Sequence, residues 1–441
     1  MRAIILLLGL LTSSAALAQP VLFPPPRGNG QFFPGAAADL NFATQQFLPG
    51  NALSQITETR NSIIATEDGL DGTWYTFAAK QFRLTSKGHL HEEARTNSIR
   101  NNTMQGGVPG TPGTLPTNWT MGTVAGVTQS IAFGTQSGMP YIAYTVSGTP
   151  SASGLIFLNF DSSIVAAQNQ VWTHSAFISV QSGGFTNITG TGVCAEDHNN
   201  VGAFLESTCA SFAAATNAAL GLQRFQATNL ATSASTAFEI PTVVFNVTLN
   251  QAVNITLLLS WPQLELNPSA TTAAQGFATS PIPTTSGSVT RAADGATMPL
   301  PPGACNAAGC SLWETATFEA PTAFPVNQFV ASVNDGTANN QINLYRASTN
   351  AQPGGQGIKA SSTAQTGPSG TIGPASLAKL SDYVTSSTLL VVYNNGTAGS
   401  TASTGVPTVT TLSIGSTVAG ATPCNCYVGR IAVAPTSLLG N

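Results

Sequence analysis

Charge is what this sequence has least of. Asp, Glu, Lys and Arg together make up 7% of its 441 residues, with 14 Lys+Arg against 18 Asp+Glu and a formal net charge of −4. An ordinary soluble protein carries about 25%. Nucleic-acid binding needs a basic face, because phosphate neutralisation dominates affinity, and this chain lacks the charges to build one. Disorder is excluded by 42% hydrophobic residues at low net charge. No run beyond the first residues approaches the apolar length that spans a bilayer, so no membrane span is expected. The surface must instead be Thr, Ser, Asn, Gln and Gly, a composition that suits exported β-proteins and proteins touching sugars or cell walls.

The first residues read as a signal peptide. Met1-Arg2 is followed by the short apolar run Ala3–Leu11 and by Ala16-Leu17-Ala18, the small-residue pattern of a cleavage site. Removal after Ala18 is expected, leaving a protein that is secreted, periplasmic or held in the cell envelope. In such an oxidising compartment the six cysteines read as disulfides before metal ligands. Cys194 and Cys209 pair inside one domain. For Cys305, Cys310, Cys424 and Cys426 the preferred reading bridges the first two to the last two, because a bond within Cys424-Asn425-Cys426 looks strained. A bond closing the Cys305–Cys310 loop is the second reading.

Short alternating runs bounded by Gly, Ser and Pro recur along the chain. Tyr141–Val146, Leu155–Phe160, Val171–Val180, Val243–Leu249 and Val253–Trp261 form one set. Leu312–Phe318, Phe329–Val333, Ile342–Tyr345, Thr388–Tyr393, Thr408–Ile414 and Tyr427–Ala434 form another. In the third run Trp172, His174, Ala176, Ile178 and Val180 make the expected core face. Asn394-Asn395-Gly396 signals a hairpin turn. Two short helices are expected, over Ser211–Leu220 and over Ala375–Val384, where Leu377, Leu380 and Val384 are helically spaced. The fold class is all-β: two tandem β-sandwiches behind an extended N-terminal arm that packs on the first. The divisions expected are 1–18 leader, 19–115 arm, 116–266 first sandwich, 267–303 Pro/Gly/Thr/Ser-rich linker and 304–441 second sandwich.

Two segments carry a resemblance. Thr59-Arg60-Asn61-Ser62 with Gly88–Asn97 (GHLHEEARTN), then Trp261–Glu265, Ala278–Thr285 and Thr290–Asp294 (TRAAD), resemble elements flanking a carbohydrate-binding-like jelly roll in phage and prophage structural proteins. Pro281 stands where that pattern has Tyr. After about Ala304 the chain resembles a concanavalin A-like lectin/glucanase domain of the LamG or pentraxin type, through Leu412–Gly415 and Gly429–Pro435 with Leu438. The resemblance implies the fold and a sugar-binding tendency, and sandwiches of this kind often hold a structural calcium; no other cofactor is expected.

Catalytic signals are sparse. Glycosidases need two carboxylates flanking the scissile bond, and no E-x-D-x-x-E run occurs. Glu314 and Glu319 differ by five and so face opposite ways on a strand, Asp382 stands apart, and Asp335-Gly336 reads as a turn. Glu67-Asp68 and Glu196-Asp197 read as solvated turns, and Glu92-Glu93 beside Arg95 as a structural ion-pair cluster. Gly134–Gly138 is a turn and no nucleophile elbow. His89 and His91 share one strand face, more an exposed polar face than a metal site with Glu93, and Cys194, His198 and Cys209 favour the disulfide over zinc. Trp172, Trp261 and Trp313 read as packed. Trp74, Tyr75 and Trp119 are the candidate sugar platforms. The expectation is a non-enzymatic, lectin-like protein recognising a glycan or cell-surface polysaccharide, its weak sites multiplied by homo-oligomerisation. A virion-like or envelope structural subunit and a polysaccharide-degrading enzyme are the alternatives.

Overall fold

The computed structural model describes residues 32–438 apart from 63, 69–72, 86, 322, 349–352, 355–356, 361–362, 367–376, 394–398, 404 and 419–422. The leader and the Asn394-Asn395-Gly396 turn lie outside the described residues. Strands dominate, and helix is limited to single turns at Ala52–Gln55, Leu220–Leu222 and Ala273–Gln275. Among the described residues no helix is long and apolar enough to cross a membrane.

Two pairs of sheets enclose two cores. In the first sandwich a seven-stranded sheet is centred on Val253–Leu266, flanked by Met139–Gly148 and Val171–Gly183. It faces a six-stranded sheet running Phe204–Ala210, Ile188–His198, Phe238–Val247, Gly154–Asn159 and Thr120–Gly122. Ile142, Tyr144, Trp172, Ile178, Val193, Val243, Phe245, Leu257 and Leu259 fill the space between. Strand alternation decides which side chains enter it. Val193 and Ala195 point in, so Cys194, Glu196 and His198 point out. Val171–Val180 is buried along both faces: Trp172, Ala176 and Ile178 enter the core as expected, while Phe177 packs with Trp74 and Trp261 on the other side.

The second sandwich stacks a nine-stranded sheet on an eight-stranded one. Cys310–Phe318 lies between Cys426–Ala434 and Leu377–Val384 in the first, and Gln328–Asn334 between Gln341–Arg346 and Thr411–Ile414 in the second. The N-terminal arm is shared between the two sandwiches: Ala38–Asn41 pairs with Val433–Arg430 and Gly88–His91 joins the same strand, Cys426–Ala434, while Trp74 packs on Phe177 and Trp261 of the first sandwich and Arg95–Asn97 joins its seven-stranded sheet. Leu40 and Phe42 accordingly sit in this core beside Leu312, Val330, Leu380 and Ile431. The first sandwich is thus an insertion between the early and late strands of the second.

Both expected helices are replaced. Ser211–Ala219 runs as turns, because side-chain oxygens take the backbone donors a helix would use: Ser211 Oγ accepts from Ala213 N at 3.2 Å and Gln223 Oε1 from Thr216 N at 2.7 Å. Leu377–Val384 is a strand, with Leu380 and Val384 in the core and the buried Asp382 between them. The preferred cysteine connectivity is also overturned. The bonds are Cys194–Cys209, Cys305–Cys310 and Cys424–Cys426. Asn425 takes a left-handed conformation (φ +46°) that folds the last tripeptide back, leaving its cysteine Cα atoms 5.1 Å apart, within the range a disulfide spans.

The two quoted motifs meet at the junction. Arg60, Arg83 and Arg291 converge on Glu92 and Asp294, with all five side chains almost wholly buried. Burial alone would raise the Glu92 carboxyl, but Arg291, Arg83 and two hydrogen bonds from Ser280 outweigh it and hold its pKa near about 2. Glu93 pairs with Arg95, as the cluster reading expected. The 267–303 stretch is fastened rather than slack: Thr279 bonds Glu265, Ser280 bonds Glu92, and Thr284 N donates to Asn102 at 2.7 Å.

Candidate functional site

Of the three candidate platforms, one is buried and two are half-buried. Trp119 is buried in the first core, its Nε1 donating to Asn101 O at 3.0 Å and its ring against Phe160. Trp74 and Tyr75 lie on the strand Thr73–Phe77, both half-buried. The Trp74 ring fits edge-on between Phe177 and Trp261, at centroid distances of 5.1 and 5.4 Å. These rings dock a hairpin of the early chain onto the seven-stranded sheet. Trp119 and Trp74 thus serve packing.

An opening lies on the outer face of the six-stranded sheet. It is an open groove of about 530 Å³ floored by Leu155, Phe157 and Asn159 from one strand, Ile240, Thr242 and Val244 from the next, Cys194, Glu196 and His198 from the third, and Phe204, Ser207 and Cys209 from the edge strand. Register sets these rows: Asn159, Thr242, Cys194 and Cys209 stand in line across four strands. The Cys194–Cys209 disulfide therefore lies in the floor and fastens the edge strand to the sheet. Gly192 keeps the floor low beside it, since a Cβ there would come within 2.7 Å of Cys194 Sγ and 3.1 Å of Cys209 Cβ.

The groove mixes apolar and polar surface. Phe204 is 58% exposed and Leu155 43%. The Phe204 ring meets His198 edge-on with centroids 5.8 Å apart. His198 is held through Nδ1, 3.1 Å from Gly202 O, and its Nε2 lies 3.5 Å from Glu196 Oε2. Burial raises the Glu196 carboxyl against the opposing pull of His198. Glu196 and Asp197, expected as a solvated turn, thus lie on a strand with Glu196 in the groove and Asp197 inside the core layer. Glu67 and Asp68 likewise fall on a strand, Ile64–Asp68. The alternation of Val193 and Ala195 against Cys194, Glu196 and His198 is a signal that could have revealed one strand of this floor; nothing local marks Phe204.

Glu314, Asp382, His89 and His91 are interior. Glu314 and Asp382 lie on paired strands in the second core, and burial pushes both carboxyls well above the usual range, Asp382 adding repulsion at Glu314. His89 and His91, expected on an exposed face, are buried. They form a relay, Glu58 Oε1 to His89 Nε2 at 2.9 Å and His89 Nδ1 to His91 Nε2 at 2.9 Å. Burial, and for His91 also its neighbour His89, holds both imidazoles well below their ordinary pKa. Asp335 is an exposed turn residue bonded to Thr337 and Asn340, as expected. Among the described residues no three His, Cys, Asp or Glu side chains are placed to hold a metal ion.

No protein-family model matches the chain, and no curated protein matches it. Among solved structures it is similar to an arabinose-bound α-L-arabinofuranosidase, MgGH51, at 13% identity and a TM-score of 0.26, covering 48% of this chain and 32% of that one. It is also similar to domains LG4-5 of the mouse laminin α1 chain (10% identity, TM-score 0.22, 73% and 92% covered). A third is the GH43B protein of a Bacteroides ovatus xyloglucan locus (11% identity, TM-score 0.22, 87% and 99% covered). The chain spans about a third of the arabinofuranosidase's length. Its all-β sandwich class stands on its own strand pairings.

Proposed function

We propose that this is an exported glycan-binding protein whose ligand lies in the groove of the six-stranded sheet. The observation that carries the reading is the lining itself: exposed Phe204 and half-exposed Phe157 beside Asn159, Thr242, Glu196, His198 and Ser207. Aromatic faces cover the apolar faces of pyranose rings, and a few fixed polar groups take the hydroxyls. The lining contains one carboxylate, Glu196, whereas glycoside hydrolysis works through two; that favours binding over cleavage. Three disulfides in the chain fit an oxidising compartment, and the leader-type N-terminus supports export.

The test is a glycan array with the protein from Gln19 onward, run beside Phe204→Ala and Glu196→Gln. Wild type is expected to bind a polysaccharide, Phe204→Ala to weaken it at least about tenfold, and Leu222→Ala, exposed elsewhere, to leave it unchanged. Absence of binding at high density would leave the two sandwiches as structural building blocks. Reducing-end release from a bound polysaccharide would establish an enzyme instead.

A further inference from the structure

Beneath the groove, in the interior of the first sandwich, two acids face each other without a counter-charge. Asp197 and Glu239 stand directly opposite on neighbouring strands, and both are 0% exposed. None of their four carboxyl oxygens has a hydrogen-bond partner, and neither residue is in an ion pair among the described residues. The next acid in the row, Glu206, is engaged elsewhere, accepting from Thr232 N at 2.6 Å and Ser233 N at 3.1 Å.

A third group points to a ligand. Asn229 lies on the facing sheet, opposite the core residue Trp172, and is 3% exposed. Its amide faces both carboxyls, yet Nδ2 has no hydrogen-bond partner. Its Oδ1 accepts from the Thr208 hydroxyl at 2.9 Å. A hydroxyl donates or accepts equally well, so the amide can turn over, keep the Thr208 bond and present Oδ1 to the acid pair.

Two adjacent carboxylates in a low-dielectric interior cannot both stay charged unaided. A single retained proton relieves the repulsion but leaves most of the acceptor positions empty. A hard cation fills them together. With the amide turned, all the donors are oxygen and one of them is an amide. That set suits calcium, which accepts carboxylate and amide oxygens in flexible geometry, and it does not suit zinc or the rigid octahedron of magnesium.

We propose that Asp197, Glu239 and Asn229 form the protein ligand set of a bound calcium ion that ties the two sheets of the first sandwich together. The site stands apart from the glycan reading of the groove and is tested without it. The full chain from Gln19 is stripped with a chelator and dialysed against calcium at ~1 mM, a level extracellular calcium sites respond to. Bound calcium is counted by elemental analysis, and the thermal midpoint is read with and without the ion. Wild type should take up one calcium per chain and melt several degrees higher with it. Glu239→Gln and Asn229→Ala should lose both effects, while Glu314→Gln in the other sandwich keeps them. Either of the two ligand variants decides the matter should the other fail to fold. The proposal is overturned if wild type takes up no calcium, or if both ligand variants take it up as wild type does.

Discussion

Arg60 Nε lies 3.0 Å from Asp294 Oδ1, with the two side chains 1% and 2% exposed. One residue precedes the inserted sandwich and the other follows it. Arg83 shares the same carboxylate, and Arg83 and Arg291 share Glu92. Removing one member strands buried charges, which costs about 3–5 kcal/mol. Asp294→Ala is therefore expected to lower unfolding stability by that amount, measured by urea titration of both sandwiches. An exposed acid such as Asp335 changed to Ala should move it far less.

The disulfides should differ in worth. Cys194–Cys209 closes a separation of 15 residues, Cys305–Cys310 one of 5 and Cys424–Cys426 one of 2. Chain entropy favours the longest loop, at about 3 kcal/mol. Changing both Cys194 and Cys209 to Ser should cost the most stability of the three pairs and should also weaken any groove ligand. Peptide mapping by mass spectrometry under non-reducing conditions should recover the three local bonds and no bridge from Cys305 or Cys310 to Cys424 or Cys426.

Glu314 and Asp382 predict a pH slope. Their folded pKa values are raised by burial, whereas in the unfolded chain they ionise near about 4. Above that pH the unfolded state has released protons that the folded state keeps. Stability therefore falls as pH rises above about 4 towards the raised folded pKa values, by up to roughly 1.4 kcal/mol per pH unit for each group. Glu314→Gln should flatten the slope and raise the midpoint at pH 7. Thermal melts from pH 4.5 to 8.5 check it; a steeper slope in the variant would contradict it.

His174 acts in the opposite sense. Burial, against a bond to Cys194 O, lowers its pKa to about 4. The unfolded imidazole binds its proton near about 6.5, so this residue's contribution is lost as pH falls from about 6.5 towards 4. His174→Gln should reduce the loss of stability of the first sandwich across that window, read by hydrogen exchange of Val171–Gly183.

Gly415 is a steric test. Its φ is +69°, and a Cβ there would overlap the His91 ring. Gly415→Ala should destabilise the second sandwich by more than about 1 kcal/mol, read as a lower denaturant midpoint.

Local pattern carried much of the fold. Tyr141–Val146 and Val253–Trp261 alternate or run apolar between turn residues, and both are strands. The misreadings have local causes. In Leu377–Val384 the inward position between Leu380 and Val384 is an acid, Asp382, so the period of two is broken and a helical spacing remains. The pairing of Ala38–Asn41 with Val433–Arg430 joins opposite ends of the chain, and no window of sequence contains both. The groove was hidden for the same reason: Phe157, Glu196 and Phe204 become neighbours through register alone, while the more conspicuous Trp74 and Trp119 had packing partners that composition does not name.

The inserted sandwich enters and leaves the chain side by side, through the paired residues Arg95–Asn97 and Val289–Arg291. Tension applied at the two termini passes through the strand pair Ala38–Asn41 and Arg430–Val433 and bypasses the insert. Pulled from its ends, the molecule would shed the strand Ala38–Asn41 from the nine-stranded sheet while the groove and its disulfide stayed unstretched.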